Sequence, residues 1–434
     1  MPFVSCTRRA RFTLAINSAI TREDHIPQER TPIRSVAPTL IPAFQQQDQQ
    51  FSSAFSLLRE AIAQRAFPAA SIAVTQAGKL VALKSFGKFV FEEQLEDVSP
   101  FSRSCRQAED DCDLQLLPSI LFDLASLTKV VATTTIAMIL CERGLLELES
   151  PISGVLPEFR TGDRRRLGVT FRMLLAHSSG LPAYEKLFLR AQNGQELLQM
   201  AFTMPLSADP ATRAEYSDIG FIILGVALER LANEPLGVFC QREIFGTLPL
   251  ANTTFNPAAE IRPRIPPTAD ERQGQGLHKG RSTFRNRIIQ GEVQDENAFV
   301  LGGVAGHAGL FSSAEDVAHF AHVMLWGGSG MLRPETIELF TRREISPAGT
   351  SRALGWDTPS PPSQSGKHFG PHSYGHLGYT GTSLWIDPEQ QLSVTLLTNR
   401  TWPDCSNHSI KQVRPRVHDA VVDALDCQVK RKHR

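Results

Sequence analysis

Apolar residues recur along the chain with two different periods, and the change of period divides it. From Ser52 to about Arg65, Leu57, Leu58, Ala61 and Ile62 sit at helical spacing and predict a helix. Ser71-Ile-Ala-Val-Thr75 and Leu80-Val-Ala-Leu-Lys-Ser-Phe86 surround the turn Gln76-Ala-Gly-Lys79 and predict an antiparallel hairpin. The run from Leu124 to Cys141 is apolar on most faces, as a buried helix is. Residues 145–235 read as helices and loops, including Phe221–Leu228. Ser313-Ala-Glu-Asp316 has the form of a capped helix start, with the helix running to Trp326. Thr382–Ile386 and Leu392–Leu397 flank Asp387-Pro-Glu-Gln-Gln391 as a second hairpin, and a last helix covers about 409–426.

Strands therefore cluster at both ends and helices fill the middle. A single antiparallel sheet formed from N- and C-terminal strands, with an inserted all-helical region, accounts for this order and gives an α+β fold. One domain is expected over 49–428, its sheet lobe at about 52–122 and 300–428 and its helical lobe at about 123–299. Residues 1–48, Pro-spotted and Gln-rich, read as a disordered or extended tail, and 429–434 as a solvated basic tail. Residues 90–117 and 256–295 lack a period and read as a surface loop and a long excursion.

Composition narrows the function. Lys+Arg and Asp+Glu number 45 each, so zero net charge removes the electrostatic case for nucleic acid or an anionic membrane. No uninterrupted apolar stretch approaches ~18 residues, so no integral membrane segment is expected. The seven cysteines are scattered and odd in number, a poor disulfide framework, although Cys105 and Cys112 are placed to pair within one loop. Arg8, Arg9 and Arg11 precede an apolar run that breaks at Asn17-Ser18, too short for a secretory signal, so a cytoplasmic location is expected. Gly-x-Ser-x-Gly, a Walker loop, a dinucleotide fingerprint and His-Glu-x-x-His are all absent, and no cofactor is expected. His368, His372 and His376 are interrupted by Gly370, Pro371 and Gly375, which argues against a helical metal site.

Three segments can carry chemistry. Lys129 is the only charged side chain between Leu124 and Cys141, and Ser126 precedes it by three residues, on the same helix face. An amine there can take the serine proton if burial lowers its pKa by ~3 units from ~10.4. The plain alternative is a serine at a helix start and a lysine reaching water from the first turn. Glu215-Tyr-Ser-Asp-Ile-Gly220 opens the next apolar helix. The phenol of Tyr216 can relay a proton, and Asp218 can hold Lys129; equally, Ser-Asp can simply cap the helix. Tyr374-Gly-His-Leu-Gly-Tyr-Thr-Gly381 enters a strand with three glycines, which suits close approach of a ligand, with His376 as a polar or cationic neighbour. Leu174–Pro182 and the glycine-rich Leu301–Ser313, with His307, support the same region.

Together these segments resemble the serine β-lactamase and penicillin-binding protein superfamily, in its class C-like branch of serine hydrolases. The order Ser-x-x-Lys, Tyr-x-Asp, His-x-Gly spans gaps of 90 and 160 residues, and the likeness runs from about 52 to 426. Phe122–Lys129, His177–Pro182 and Gly378–Ser383 also look like this branch. The resemblance implies that Ser126 is the acylated nucleophile, that Lys129 and Tyr216 share the acid and base duties, and that the N–H groups of Ser126 and Tyr379 form an oxyanion hole beside Gly378. His376 stands where a lysine binds substrate in β-lactamases, and Asp218 where an asparagine does, so efficient β-lactam hydrolysis is not implied. The expected activity is acyl-enzyme hydrolysis of an ester, amide, β-lactam or D-amino-acid peptide. A catalytically inactive cell-wall-fragment sensor and an acyltransferase are the competing readings.

Overall fold

The two hairpins meet edge to edge. Ala69–Gln76 pairs antiparallel with Leu392–Thr398, in register from Gln76 against Leu392 to Ala70 against Thr398, so strands from the two ends of the chain lie side by side. The six-stranded sheet runs Ile41–Pro42, Lys79–Gly87, Ala69–Gln76, Leu392–Thr398, Ser383–Asp387, Tyr374–Leu377. All its pairings are antiparallel except the first. The computed structural model describes residues 39–94, 117–272, 282–403 and 405–432.

Alternation along the central strands sends side chains into two cores. Ile72, Val74, Val394, Leu396 and Trp385 face the helices Ser52–Ala63 and Ile410–Lys432, packing with Phe51, Phe55, Val417 and Val421. Ala69, Ala73, Leu384, Ile386 and Leu397 face the other way, into a core shared with helix Ala314–Leu325 and the helical lobe. Every residue of Leu392–Thr398 is buried, and two of its polar side chains find partners: Ser393 Oγ lies 2.6 Å from Thr75 Oγ1 on the neighbouring strand, and Thr398 Oγ1 donates to Thr380 O at 3.2 Å. Ser313 caps its helix as its sequence predicts, accepting from the Asp316 N–H at 3.1 Å.

Two boundaries differ from the sequence expectation, and the described part of the excursion is tied down. The domain starts before 49: Leu40 is buried, Ile41–Pro42 is an edge strand parallel to Lys79–Leu80, and Gln47 Oε1 accepts the Leu83 N–H at 2.8 Å. A two-residue strand has no period to read, and a glutamine that caps a sheet edge looks like any surface polar residue. At the other end the final helix continues through Lys432, so much of the basic tail is helical backbone. The excursion over 256–295 is anchored: Arg285 and Glu271 form a fully buried ion pair at 2.6 Å, and Arg285 also donates to Val293 O and Gln294 O. Residues 1–38 and most of 90–117, with Cys105 and Cys112, lie outside the described residues. The one described helix apolar and long enough to cross a membrane, Ala125–Glu142, is 83% buried inside the protein.

Asn399 ties three segments below the site. Its Oδ1 accepts the Ala69 N–H at 3.1 Å, and its Nδ2 donates to Phe89 O and Pro267 O at 2.9 and 3.0 Å. Asn399→Ala strands three backbone groups that each cost ~1–3 kcal/mol when unpaired, and is expected to lower stability by about 4 kcal/mol. Urea unfolding checks this as a fall in midpoint with m unchanged.

Candidate active site

The helix that carries Ser126 changes pitch along its length. It begins as a 3-10 turn at Ala125–Leu127, widens to a π-helical stretch at Lys129–Thr134 and continues as α-helix over Thr135–Glu142. Side chains three apart eclipse in a tight turn, and π-helical turns recur at functional sites. Lys129 Nζ accordingly lies 2.9 Å from Ser126 Oγ. Ala125, immediately before, has φ +47°, a left-handed conformation costly for a residue with Cβ, and its N–H is held by Asp123 Oδ1 at 2.8 Å. Asp123 Oδ2 holds the Gln294 N–H at 2.6 Å, so this carboxylate clasps the Ser126 turn to the anchored excursion. In the sequence Asp123 is one residue of the Phe122–Lys129 motif; its two-way grip shows only in three dimensions.

Tyr216 and Asp218 come from the start of the next helix, Asp218–Ala232. Ser217 caps it through the Gly220 N–H at 2.9 Å, so the capping reading and the site reading both hold. The Tyr216 hydroxyl donates to Ser126 Oγ at 2.7 Å, and Asp218 Oδ1 accepts from Lys129 at 2.7 Å. The ring of His177 lies 4.6 Å from that of Tyr216, and its Nδ1 accepts the Ser217 N–H at 3.0 Å. Lys129 makes its third bond to His307 O at 2.9 Å. His307 is held through Nε2 by Asp295 Oδ1 at 2.8 Å. The glycine-rich loop reaches Lys129 because Gly306 lies directly on Gly225, where an added Cβ would stand 2.9 Å from the Gly306 Cα.

The third motif docks against the Ser126 turn. Thr380 Oγ1 donates to Asp123 O at 2.7 Å and Thr382 Oγ1 to Leu124 O at 2.9 Å. Gly378 must be glycine there, since a Cβ would stand 2.5 Å from Leu124 O and closer still to Thr382 Oγ1. Tyr379, a residue 47% exposed, is thereby set beside the Ser126 turn, its ring centre 4.5 Å from the Arg400 guanidinium. His376 is buried, with its ring 5.9 Å from that of Tyr216. The three histidines considered for a metal part company: His368 meets Asp423, His372 meets Glu389, and His376 enters the cleft.

Ser126, Lys129, Tyr216 and Asp218 thus converge, with His376, Gly378 and Tyr379 along one wall of a cleft of about 1020 Å³. Tyr184, Phe188, Phe284, Glu296 and Arg352 line it as well. They lie in loops or very short helical turns, which leave no readable period in the sequence.

One electrostatic expectation is overturned, and a second is decided between its two alternatives. Burial pushes the Lys129 pKa down, but the Asp218 carboxylate and the Tyr216 oxygen raise it by more, so it stands above its ordinary value. Lys129 is an ammonium with all three N–H bonds satisfied, not a neutral base at rest. Nor is His376 cationic: burial, with the charges of Lys129 and Arg352, holds its pKa well below the usual imidazole range. Burial and Asp218 push the Tyr216 phenol up to about 12, against the opposing pull of Lys129. The resting site is therefore a protonated phenol and an ammonium around one serine oxygen.

Sheet, helical lobe and this constellation define a serine hydrolase of the β-lactamase and penicillin-binding protein type. The chain belongs to the beta-lactamase family, whose model matches residues 54–411. It is 33% identical over 359 residues to the N-acetylmuramyl-L-alanine amidase of Bacillus subtilis (strain 168), covering 77% of each chain. It is 32% identical over 316 residues to a putative D-alanyl-D-alanine carboxypeptidase of Salmonella agona (strain SL483), covering 67% of this chain and 72% of that one. Among solved structures, EstCE1, a hydrolase with promiscuous acyltransferase activity, shares the fold, with a TM-score of 0.67 and 20% identity over 86% of this chain and 99% of that one.

Asp218→Asn tests the Lys129 pairing. Without the carboxylate, burial acts on Lys129 with less opposition, and the ammonium gives up its proton at lower pH. A raised pKa keeps the charge below it and loses it as pH climbs through it, so the alkaline limb of kcat/KM is expected to move to lower pH in the variant. Loss of one partner from a buried pair should also cost about 3 kcal/mol of stability. A pH profile on a p-nitrophenyl ester, with thermal unfolding alongside, checks both.

Proposed function

We propose that the protein is a serine amidase that hydrolyses the amide bond between N-acetylmuramic acid and L-alanine through an ester on Ser126. The observation that carries this is the setting of Ser126 Oγ, 2.9 Å from the Lys129 ammonium and 2.7 Å from the Tyr216 hydroxyl. It opens into a cleft walled by the rings of Tyr184, Phe188, Phe284 and Tyr379 and by carboxylates such as Asp295 and Glu296. Rings to stack on a sugar and oxygens to accept its hydroxyls suit a muramyl group, and few convergent polar groups in a partly apolar cleft are what a ligand site needs. Identity of 33% over 77% of both chains with the B. subtilis amidase supports the choice of bond.

In this reading Ser126 Oγ adds to the lactyl carbonyl, and the main-chain N–H groups of Ser126 and Tyr379 receive the charge on its oxygen. The serine proton passes to the Tyr216 oxygen as Tyr216 hands its own proton to the alanyl nitrogen. The phenol ends as it began and never ionises, which its raised pKa would oppose. The C–N bond breaks, L-alanine or an L-alanyl peptide leaves, and muramyl ester remains on Ser126. Water then adds to that ester; its proton reaches Ser126 Oγ through Tyr216, and the muramic acid departs. Lys129 stays an ammonium and stabilises the serine oxygen as its proton leaves.

Ser126→Ala is expected to lower kcat/KM for N-acetylmuramyl-L-alanine by ~10³-fold or more and to abolish fluorophosphonate labelling. Release of L-alanine, followed by amino-acid analysis, is the readout. Faster release of D-alanine from a D-alanyl-D-alanine peptide would put the carboxypeptidase reading in its place. Transfer of the acyl group to an added amine would mark a transferase.

A further inference from the structure

Asp218 and His376 have one chemical property in common. Asp218 carries oxygen acceptors only: Oδ1 takes the Lys129 proton at 2.7 Å, and Oδ2 has no hydrogen-bond partner among the described residues, while the side chain is 18% exposed along the cleft. In His376, Nδ1 lies 2.8 Å from Leu377 O, and a carbonyl oxygen only accepts, so the proton of the ring is on Nδ1. His376 Nε2 is therefore a bare lone pair, buried and unpartnered, in a residue that lines the same cleft. Burial and two nearby cations keep the ring neutral. Arg352, the cation at this wall, lies 5.4 Å from the centre of the Tyr216 ring, with Asp357 answering it at 3.6 Å.

A buried acceptor left empty costs free energy until a donor fills it. A site built around such groups rejects analogues that lack the donor far more strongly than a pocket of plain shape does. His376 Nε2 is such a group, and Asp218 Oδ2 is a second open acceptor, partly reached by solvent, on the other neighbour of Tyr216; together they set what the substrate has to bring. We propose that the cleft selects substrates presenting N–H or O–H donors beside the scissile carbonyl, one received by Asp218 Oδ2 and one by His376 Nε2, and that it turns away substrates presenting a carboxylate at these points. The hydroxyls and acetamido N–H of an amino sugar meet that requirement. The inference rests on the amidase reading only in taking Ser126 as the attacking group.

Two p-nitrophenyl esters test it, those of N-acetyl-D-alanine and of its N-methyl derivative, which differ by one donor. The wild-type protein is expected to favour the N–H ester about tenfold or more in kcat/KM, and a ratio below about two overturns the proposal. The double variant Asp218→Asn, His376→Lys puts donors where the acceptors were. It should bring the ester ratio close to one and raise the rate of benzylpenicillin acylation of Ser126, read by intact mass, about tenfold. A double variant that keeps the wild-type ester ratio and is no faster with penicillin overturns the proposal. Should it fail to fold, the wild-type ratio decides by itself. A wild-type protein that shows the ester preference yet releases no L-alanine from N-acetylmuramyl-L-alanine defeats the amidase reading and leaves this inference standing.

Discussion

One buried charge organises this protein. Lys129 is sealed in an apolar helix, and an ammonium there is tenable only because Asp218, Ser126 and His307 O take all three of its N–H bonds. Those partners come from three separate parts of the chain. Keeping them within 3 Å of one nitrogen requires the helix start at Asp218, the glycine-rich loop and the Ser126 turn to be placed together. The glycine-on-glycine contact at 225 and 306, and the His307–Asp295 pair, follow from the same demand.

The pair also decides the chemistry. With its charge answered by a carboxylate, the lysine rests as an ammonium, and in the proposed mechanism the proton transfers run through the phenol. Tyr216 is itself held protonated by burial, so it is suited to passing a proton on while accepting another. Substituting a carboxylate for a neutral amide at position 218 thus alters two things at once: the state of Lys129 and the kind of group the cleft offers a ligand.

Around this centre the fold works as a set of clasps. Asp123 joins the Ser126 turn to the excursion, Thr380 and Thr382 join it to the terminal strand, and Asn399 ties the sheet to the segments beneath. Each clasp joins residues more than a hundred positions apart. Each relies on a buried backbone group that would be costly to leave unpaired.

The amino-acid sequence alone determined the α+β architecture, because period-two and helical apolar patterns are local properties of the chain. It also placed Ser126, Lys129, Tyr216, Asp218, His376, Gly378 and Tyr379 in one site, since their spacing and residue types are visible without a structure. Only the tertiary structure decided protonation and partnership. Whether burial neutralises Lys129 depends on how far away the Asp218 oxygen lies, and whether His376 is cationic depends on which charges face it. The edge strand at Ile41–Pro42, the grip of Asp123 and the anchoring of the excursion by Arg285 escaped the sequence for the same reason. They are long-range contacts between short, aperiodic segments, and nothing in the order of residues encodes a distance between them.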